Sequence, residues 1–249
     1  RPESASSTAS TASERAFAER LAQLGPRYNA LALPLPQEAV RKAREVDKDL
    51  KRERLRGPLQ GIPYGVKDLL SFAGQPTTWG AKPYAGQVLD YNATVIEKLA
   101  GVGAVLTGKL AMVELAGGGG YRYPSASLTG PGLNPWDRTR WSGGSSSGAV
   151  AAGLAPFAIG SETSGSIVSP ARECGLSALR PTFGRVSRHG AMVLGWSRDR
   201  VGPICRTVED CAMVFNTIHG ADEKDTSTVT TPFHFDRKIK LESLRIGVD

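Results

Sequence analysis

The residues that could do chemistry in this chain are one lysine and two groups of serines set among glycines. Lys67 follows a short apolar run inside Gly61–Asp68, and the serines lie in Trp141–Gly148 and Gly160–Ile167. A serine hydroxyl is a poor nucleophile at its ordinary pKa and needs a base. Burial disfavours the charged form of lysine, so a lysine held away from water can be that base. The pattern therefore indicates a site in which Lys67 activates serine.

These three segments, in this order, resemble the amidase signature family, whose sites combine two serines with a lysine. Three other stretches also look like that family: GKLAMVEL, ALRPTFGRVSRHG and GPICRTVEDCAMVFNTIHG. The resemblance runs from about Leu31 to the last residue. It implies an amidase that cleaves the carbon–nitrogen bond of a small-molecule carboxamide through an acyl-enzyme, without a cofactor.

The resemblance also implies a role for each residue of the site. Lys67 matches the base, Ser166 the nucleophile, and Ser145 the serine that bridges them after a cis peptide bond. The backbone N–H groups of the third segment would hold the oxyanion, on Thr163, Ser164, Gly165 and Ser166. Ser146 is the alternative bridging serine, because the 21 residues from Ser145 to Ser166 are fewer than usual and the loop could be shifted.

The third segment departs from the family pattern, and the chain is short. The family usually has Asp-Thr-Gly-Gly-Ser-Ile-Arg, whereas this chain has Ser164 in place of a glycine and Val168 in place of the arginine. Family members continue into further strands and helices where this chain stops at Asp249. We therefore expect the C-terminal part of the family fold to be absent, and a C-terminal fragment or second chain to complete it.

Two other glycine motifs fit known sites less well. Gly103–Leu110 looks like a nucleotide-binding loop, but Leu110 stands where a hydroxyl must bind Mg²⁺. Gly144–Gly148 matches the nucleophile elbow of α/β-hydrolases, with Ser146 as the nucleophile. An elbow needs a preceding strand and a placed histidine, and the sequence indicates neither.

Composition narrows the class of protein further. The formal net charge is +7, but the densest charged stretch, Glu38 to Arg56, mixes both signs as a solvated helix does. We therefore expect no nucleic-acid partner. The 3 cysteines and 3 histidines lack the spacing of metal ligands, so no metal site is predicted. No apolar run approaches the roughly 18 residues of a membrane span. Arg1 and the Ser/Ala/Thr-rich start leave cytoplasmic and exported locations open.

Apolar periodicity predicts the elements that must position these residues. Helices are predicted over 13–24, 37–54, 91–101, 149–154 and 207–219, with strands ending at Val66 and covering 104–106 and 156–159. Interleaved helices and strands indicate an α/β class, and the resemblance implies a mixed sheet covered by helices on both faces. Residues 1–12 are expected to be a disordered tail, and residues 13–249 an amidase signature domain, incomplete at the C-terminus.

Two other functions fit part of the pattern. The chain could be the A-type subunit of a tRNA-dependent amidotransferase, which would need partner subunits and would be expected to keep Gly-Gly-Ser-Ile-Arg. It could also be a non-catalytic relative that serves as a binding module, which covalent labelling of the nucleophile would distinguish.

Overall fold

The centre of the molecule is a six-stranded mixed sheet. The computed structural model describes residues 9–117, 126–146 and 153–245. Its strands are β1 (Leu31–Pro34), β2 (Pro63–Lys67), β3 (Val105–Leu110), β4 (Phe157–Glu162), β5 (Ser177–Ala178) and β6 (Arg200–Cys205). They lie in the order β1-β3-β2-β4-β6-β5. β3, β2 and β4 run parallel, while β1, β6 and β5 are antiparallel to their neighbours.

Helices cover both faces of this sheet, as predicted. The described residues form α1 (Ala9–Leu24), α2 (Pro36–Lys51), α3 (Thr94–Gly101), α4 (Val168–Cys174) and α5 (Val208–Ile218). Successive side chains of a strand point to opposite faces. On β3, Val105 accordingly packs with Val46 of α2, whereas Leu106 joins a cluster that contains Leu99 of α3 and Phe215 of α5.

The middle of the sheet is the part that matters for the candidate site. Every residue of β2 and β4 is buried, as expected for central parallel strands covered on both sides. The alternation places Tyr64, Val66, Phe157 and Ile159 in one apolar cluster. Polar side chains at the carboxyl ends of these two strands are therefore carried into the interior.

The structure differs from the predicted elements in several places. Helix α1 begins at Ala9, so residues 9–12 are helical rather than part of a disordered tail; alanine is the strongest helix former in that stretch. Residues 1–8 lie outside the described residues, as does most of the helix predicted over 149–154, of which Gly153 is in a turn and Leu154 in a bend. Within the described part of the chain, no helix has the length and apolar content to cross a membrane.

Candidate active site

The carboxyl ends of β2 and β4 bring Lys67 next to Ser161. The two strands are parallel and pair Val66 with Ile159, so the residues that follow emerge at the same edge of the sheet. Lys67 is 1% exposed. Its Nζ lies 3.0 Å from Oγ and 3.3 Å from the carbonyl oxygen of Ser161. A lysine amine is thus buried where two adjacent strands end.

Ser145 is the third contact of the Lys67 amine. Its Oγ lies 2.5 Å from Nζ, and the side chain is buried. The peptide bond between Gly144 and Ser145 is cis, as the resemblance implied. Burial lowers the pKa of Lys67 from 10.5 to about 7, while the negative charges of Asp199 and Glu162 act in the opposite direction. An amine that is partly neutral near pH 7 and lies within hydrogen-bond reach of a hydroxyl has the geometry of a general base.

Ser166 lies near the end of the loop that joins β4 to α4, and it is buried. Glu162 fixes the far end of this loop, because its Oε2 accepts the N–H of Ile167 at 2.8 Å and that of Val168 at 2.9 Å. At the near end, Oγ1 of Thr163 donates to Asp199 at 2.5 Å. The segment expected to hold an oxyanion is therefore tied down on both sides.

Asp199 extends this support to a second loop. Its other carboxylate oxygen accepts the backbone N–H of Leu194 at 2.6 Å and of Gly195 at 3.0 Å. Gly195 packs closely on Thr163, since a Cβ at that glycine would lie 2.8 Å from Cγ2 of Thr163. One buried carboxylate thus connects the loop of Ser166 to the loop before β6.

Helix α4 connects the loop of Ser166 to the loop of Ser145. Sγ of Cys174, at the end of α4, donates to the carbonyl of Ser142 at 3.4 Å. Nε1 of Trp136 donates to the carbonyl of Cys174 at 2.7 Å. Gly143 has a φ of +84°, and a Cβ there would lie 2.8 Å from Cα of Pro170. Only glycine permits this backbone approach, so α4 sets the position of both serine loops.

Ser146 has different neighbours from Ser145. Its backbone bridges to Met112, and a Cβ added at Gly160 would lie 2.9 Å from its Oγ. Among the described residues, this buried hydroxyl has no hydrogen-bond partner. Of the two candidates for the bridging position, Ser145 is the one in contact with Lys67.

A second buried lysine lies beside the first but has a full ion pair. Nζ of Lys109 lies 2.8 Å from Oδ1 of Asp68 and donates to Thr77 Oγ1 at 2.5 Å and Pro76 O at 2.8 Å. Burial lowers the pKa of Lys109, with Asp68 opposing. Because Asp68 follows Lys67 directly, this ion pair fixes the end of β2.

Ser161, Arg180 and Asp199 were not among the site residues expected from the sequence. Nε of Arg180 lies 2.7 Å from Oε1 of Glu162, so Arg180 is the cation that pairs with this buried carboxylate. Val168 occupies the position where the family usually has an arginine. Ser161 lies inside the third segment and could have been singled out there. Arg180 lies in ALRPTFGRVSRHG, a stretch that resembles the family, whereas Asp199 carries no local signal, because it reaches the site from another part of the chain.

The space beside Ser145 is small. A cavity of about 10 Å³ adjoins it, lined by Ala111, Met112, Val113, Ser127, Gly130, Gly132, Trp141, Ser142 and Gly143. This cavity has room for about one water molecule. In residues 9–117, 126–146 and 153–245, no group of three or more His, Cys, Asp or Glu side chains could hold a metal ion.

Comparisons with known proteins give the same family over nearly the whole chain. The family model described as Amidase matches residues 13–249. The chain is 43% identical over 229 residues to the A-type subunit of the glutamyl-tRNA(Gln) amidotransferase of Chloroflexus aurantiacus, covering 90% of this chain and 46% of the relative. It is 42% identical over 235 residues to the putative amidase AmiD of Mycobacterium bovis, covering 92% and 48%.

A solved structure shows the same similarity in three dimensions. The native peptide amidase of Stenotrophomonas maltophilia superposes with a TM-score of 0.81 at 36% identity, covering 91% of this chain and 48% of that one. This chain therefore spans about half the length of the proteins that it matches.

Proposed function

Because the chain belongs to the Amidase family, we propose that it hydrolyses a small-molecule carboxamide through a serine acyl-enzyme. One observation carries the proposal: the buried Nζ of Lys67, whose pKa is lowered to about 7, lies 2.5 Å from Oγ of Ser145. Ser166, the proposed nucleophile, is buried on the loop between β4 and α4.

In this proposal Lys67 is the base, Ser145 the relay and Ser166 the nucleophile. Neutral Lys67 takes the proton of Ser145, which takes the proton of Ser166 as the Ser166 oxygen forms a bond to the amide carbon. The carbon–nitrogen bond then breaks, and the proton returns from Lys67 through Ser145 to the leaving amine. Water, activated by the same relay, cleaves the ester and releases the carboxylic acid.

The oxyanion of each tetrahedral intermediate is assigned to the loop before α4. The resemblance to the family assigns it to the amides of Thr163, Ser164, Gly165 and Ser166, just before the N–H groups of Ile167 and Val168 that bind Glu162. Backbone donors fixed in advance stabilise developing charge without reorganisation, and one such donor is worth roughly 10²–10³ in kcat.

The pocket for the substrate is proposed to include polypeptide beyond the described residues. The cavity beside Ser145 accommodates about one water molecule, and the matched relatives are about twice as long as this chain. A further segment of a longer protein, or a second chain, would supply the missing walls. Gel filtration with and without the candidate segment tests this arrangement.

The A-type component of an amidotransferase is the second candidate, favoured by the 43% identity to such a protein. Ser164 and Val168, where a glycine and an arginine are usual, favour the amidase. Ammonia release from free carboxamides without tRNA or partner subunits distinguishes the two functions.

Fluorophosphonate labelling tests the nucleophile directly. We expect the label on the peptide that contains Ser166, loss of all labelling in Ser166→Ala, and slower labelling that persists in Ser146→Ala. Label on the peptide containing residues 145–147 alone would overturn the assignment. No label in the folded protein, together with no ammonia from a panel of carboxamides, would favour a non-catalytic role.

A further inference from the structure

Ser161 is the neighbour that gives the Lys67 amine most of its contacts. It supplies two acceptors, Oγ at 3.0 Å and the carbonyl oxygen at 3.3 Å, and Ser145 supplies the third contact at 2.5 Å. Ser161 is 8% exposed and lies on β4, opposite Val201 of β6. Its position is therefore fixed by the sheet rather than by a loop.

The number of hydrogens on the amine gives these contacts a direction. A neutral lysine amine has two N–H donors and one lone pair, and a carbonyl oxygen can only accept. If both donors go to Ser161, to its carbonyl and its hydroxyl oxygen, the lone pair is left facing Oγ of Ser145. That is the orientation in which the amine can take a proton from Ser145.

We propose that Ser161 is a positioning residue that holds both N–H groups of the neutral Lys67 amine and so aims its lone pair at Ser145. The inference rests on the proposed function, in which Lys67 is the base. Ser161 acts through Lys67 and takes no part in bond making. The charged amine has three N–H donors and the same three acceptors, so Ser161 serves both protonation states of the cycle.

Removing the hydroxyl separates positioning from mere filling of space. In Ser161→Ala the carbonyl remains, and the amine keeps one acceptor from residue 161. The second N–H then turns to Oγ of Ser145, which points the lone pair away from it. In Ser161→Thr the hydroxyl is retained, and a β-branched side chain suits a strand. Ser161→Thr should therefore keep the reaction rate that Ser161→Ala loses.

The kinetic test compares these variants in the full chain. We expect Ser161→Ala to lower the plateau kcat, or the plateau rate of fluorophosphonate labelling, by about 10–100-fold with little change in KM, as for loss of one step in general base catalysis. Ser161→Thr should stay within about threefold of the wild type. Ser71→Ala is the matched control: Ser71 is also buried, and its Oγ has no hydrogen-bond partner among the described residues.

A second readout follows the amine itself. The protein is labelled with ¹³Cε-lysine, and the Lys67 signal, assigned by its loss in Lys67→Met, is titrated by NMR. One N–H of the charged amine lacks an acceptor in Ser161→Ala, so its titration midpoint should fall by about one pH unit. If the Ala variant does not fold, Ser161→Cys, with a weak sulfur acceptor, should show the same changes.

The outcomes separate this inference from the proposed function. Wild-type kcat together with an unchanged Lys67 titration in Ser161→Ala would overturn the role of Ser161. Loss of rate in both Ala and Thr, without a shift of the titration, would also overturn it, because that pattern indicates packing alone. If the wild type neither reacts nor takes label while Ala still shifts the titration, the proposed function fails and the contact with Lys67 stands.

Discussion

Arg180 and Glu162 form an ion pair of 2.7 Å directly behind the loop of the proposed nucleophile. Glu162 is 3% exposed, and its second oxygen accepts the N–H groups of Ile167 and Val168. A buried carboxylate is costly unless it is both paired and hydrogen-bonded, and this one is both. The pair therefore ties β4, the loop of Ser166 and the first turn of α4 together.

Glu162→Gln should loosen this connection. The amide oxygen can still accept from Ile167 and Val168, but its NH₂ group then faces the donors of Arg180. We expect a loss of about 1–3 kcal/mol in the free energy of unfolding, measured by urea denaturation. Because the loop positions Ser166, kcat should fall more than KM rises.

The exposed pair of Arg172 and Glu173 is the matched control for this prediction. The two side chains lie 2.7 Å apart with exposed fractions of 82% and 37%, so Glu173→Gln should change stability by less than about 1 kcal/mol. In an Arg180→Gln background, Glu162→Gln should cost less than in the wild type. An equal cost in both backgrounds would show that Arg180 and Glu162 do not interact energetically.

Gly143→Ala should disturb the contact between the two serine loops. Gly143 has a φ of +84°, and a Cβ would meet Cα of Pro170 at 2.8 Å and its N at 2.9 Å, both of them backbone atoms. The loop of Ser145 must then move away from α4. We expect a loss of stability of about 1–3 kcal/mol from strain and overpacking, together with a large fall in the labelling rate of Ser166.

Gly74→Ala separates the clash from the backbone strain. Gly74 has a φ of +73°, but nothing lies within 4 Å of a Cβ built there. The Gly74→Ala variant should lose stability through backbone strain alone and keep a normal labelling rate. A labelling rate in Gly143→Ala equal to that of Gly74→Ala would contradict the role of the contact with Pro170.

Local patterns in the sequence predicted the parts of the site that depend on one segment at a time. The apolar run before Lys67 indicated a strand, and β2 does carry Lys67 into the interior. The lysine and Ser145, 78 residues apart, are in contact. Helix α5 was also predicted to within a residue at each end, because its apolar face and its N-cap at Thr207 are local features.

Contacts between distant strands could not be predicted in this way. Ser161 lies 94 residues from Lys67, and periodicity does not say that β2 pairs with β4. Strand β6 was missed because Gly202 and Pro203 read as turn residues. Gly202 is required because a Cβ there would collide with the carbonyl of Leu179. Asp199, just before β6, was therefore not placed near Thr163.

Replacement by methionine should lower the free energy of unfolding at Lys109 and raise it, near neutral pH, at Lys67. Lys109→Met leaves Asp68, which is 1% exposed, without its cation, and should cost about 3–5 kcal/mol in the free energy of unfolding. Lys67→Met removes an amine whose ionisation is disfavoured by burial. The two variants are matched in residue type and burial, and denaturation from pH 6 to 10 compares them.

The sign of the pH trend for Lys67 follows from its pKa, about 7 in the folded chain against the ordinary 10.5. Between these values the unfolded state binds the proton and the folded state does not, so wild-type stability rises with pH. Lys67→Met lacks this trend, and its stability relative to the wild type should be highest at pH 7 and below and should decline towards pH 10. A difference that does not vary with pH would mean that Lys67 is not desolvated.

The rate of acylation should follow the neutral form of Lys67. With a pKa of about 7, labelling by a fluorophosphonate should be half-maximal near pH 7 and level off at about pH 8–9. Asp199 is the carboxylate that most favours the charged amine, so Asp199→Asn should move the midpoint to lower pH, although it also loosens the loop and lowers the plateau. Ser71→Ala should leave the midpoint in place. A plateau already reached at pH 6 in the wild type would point to a base other than Lys67.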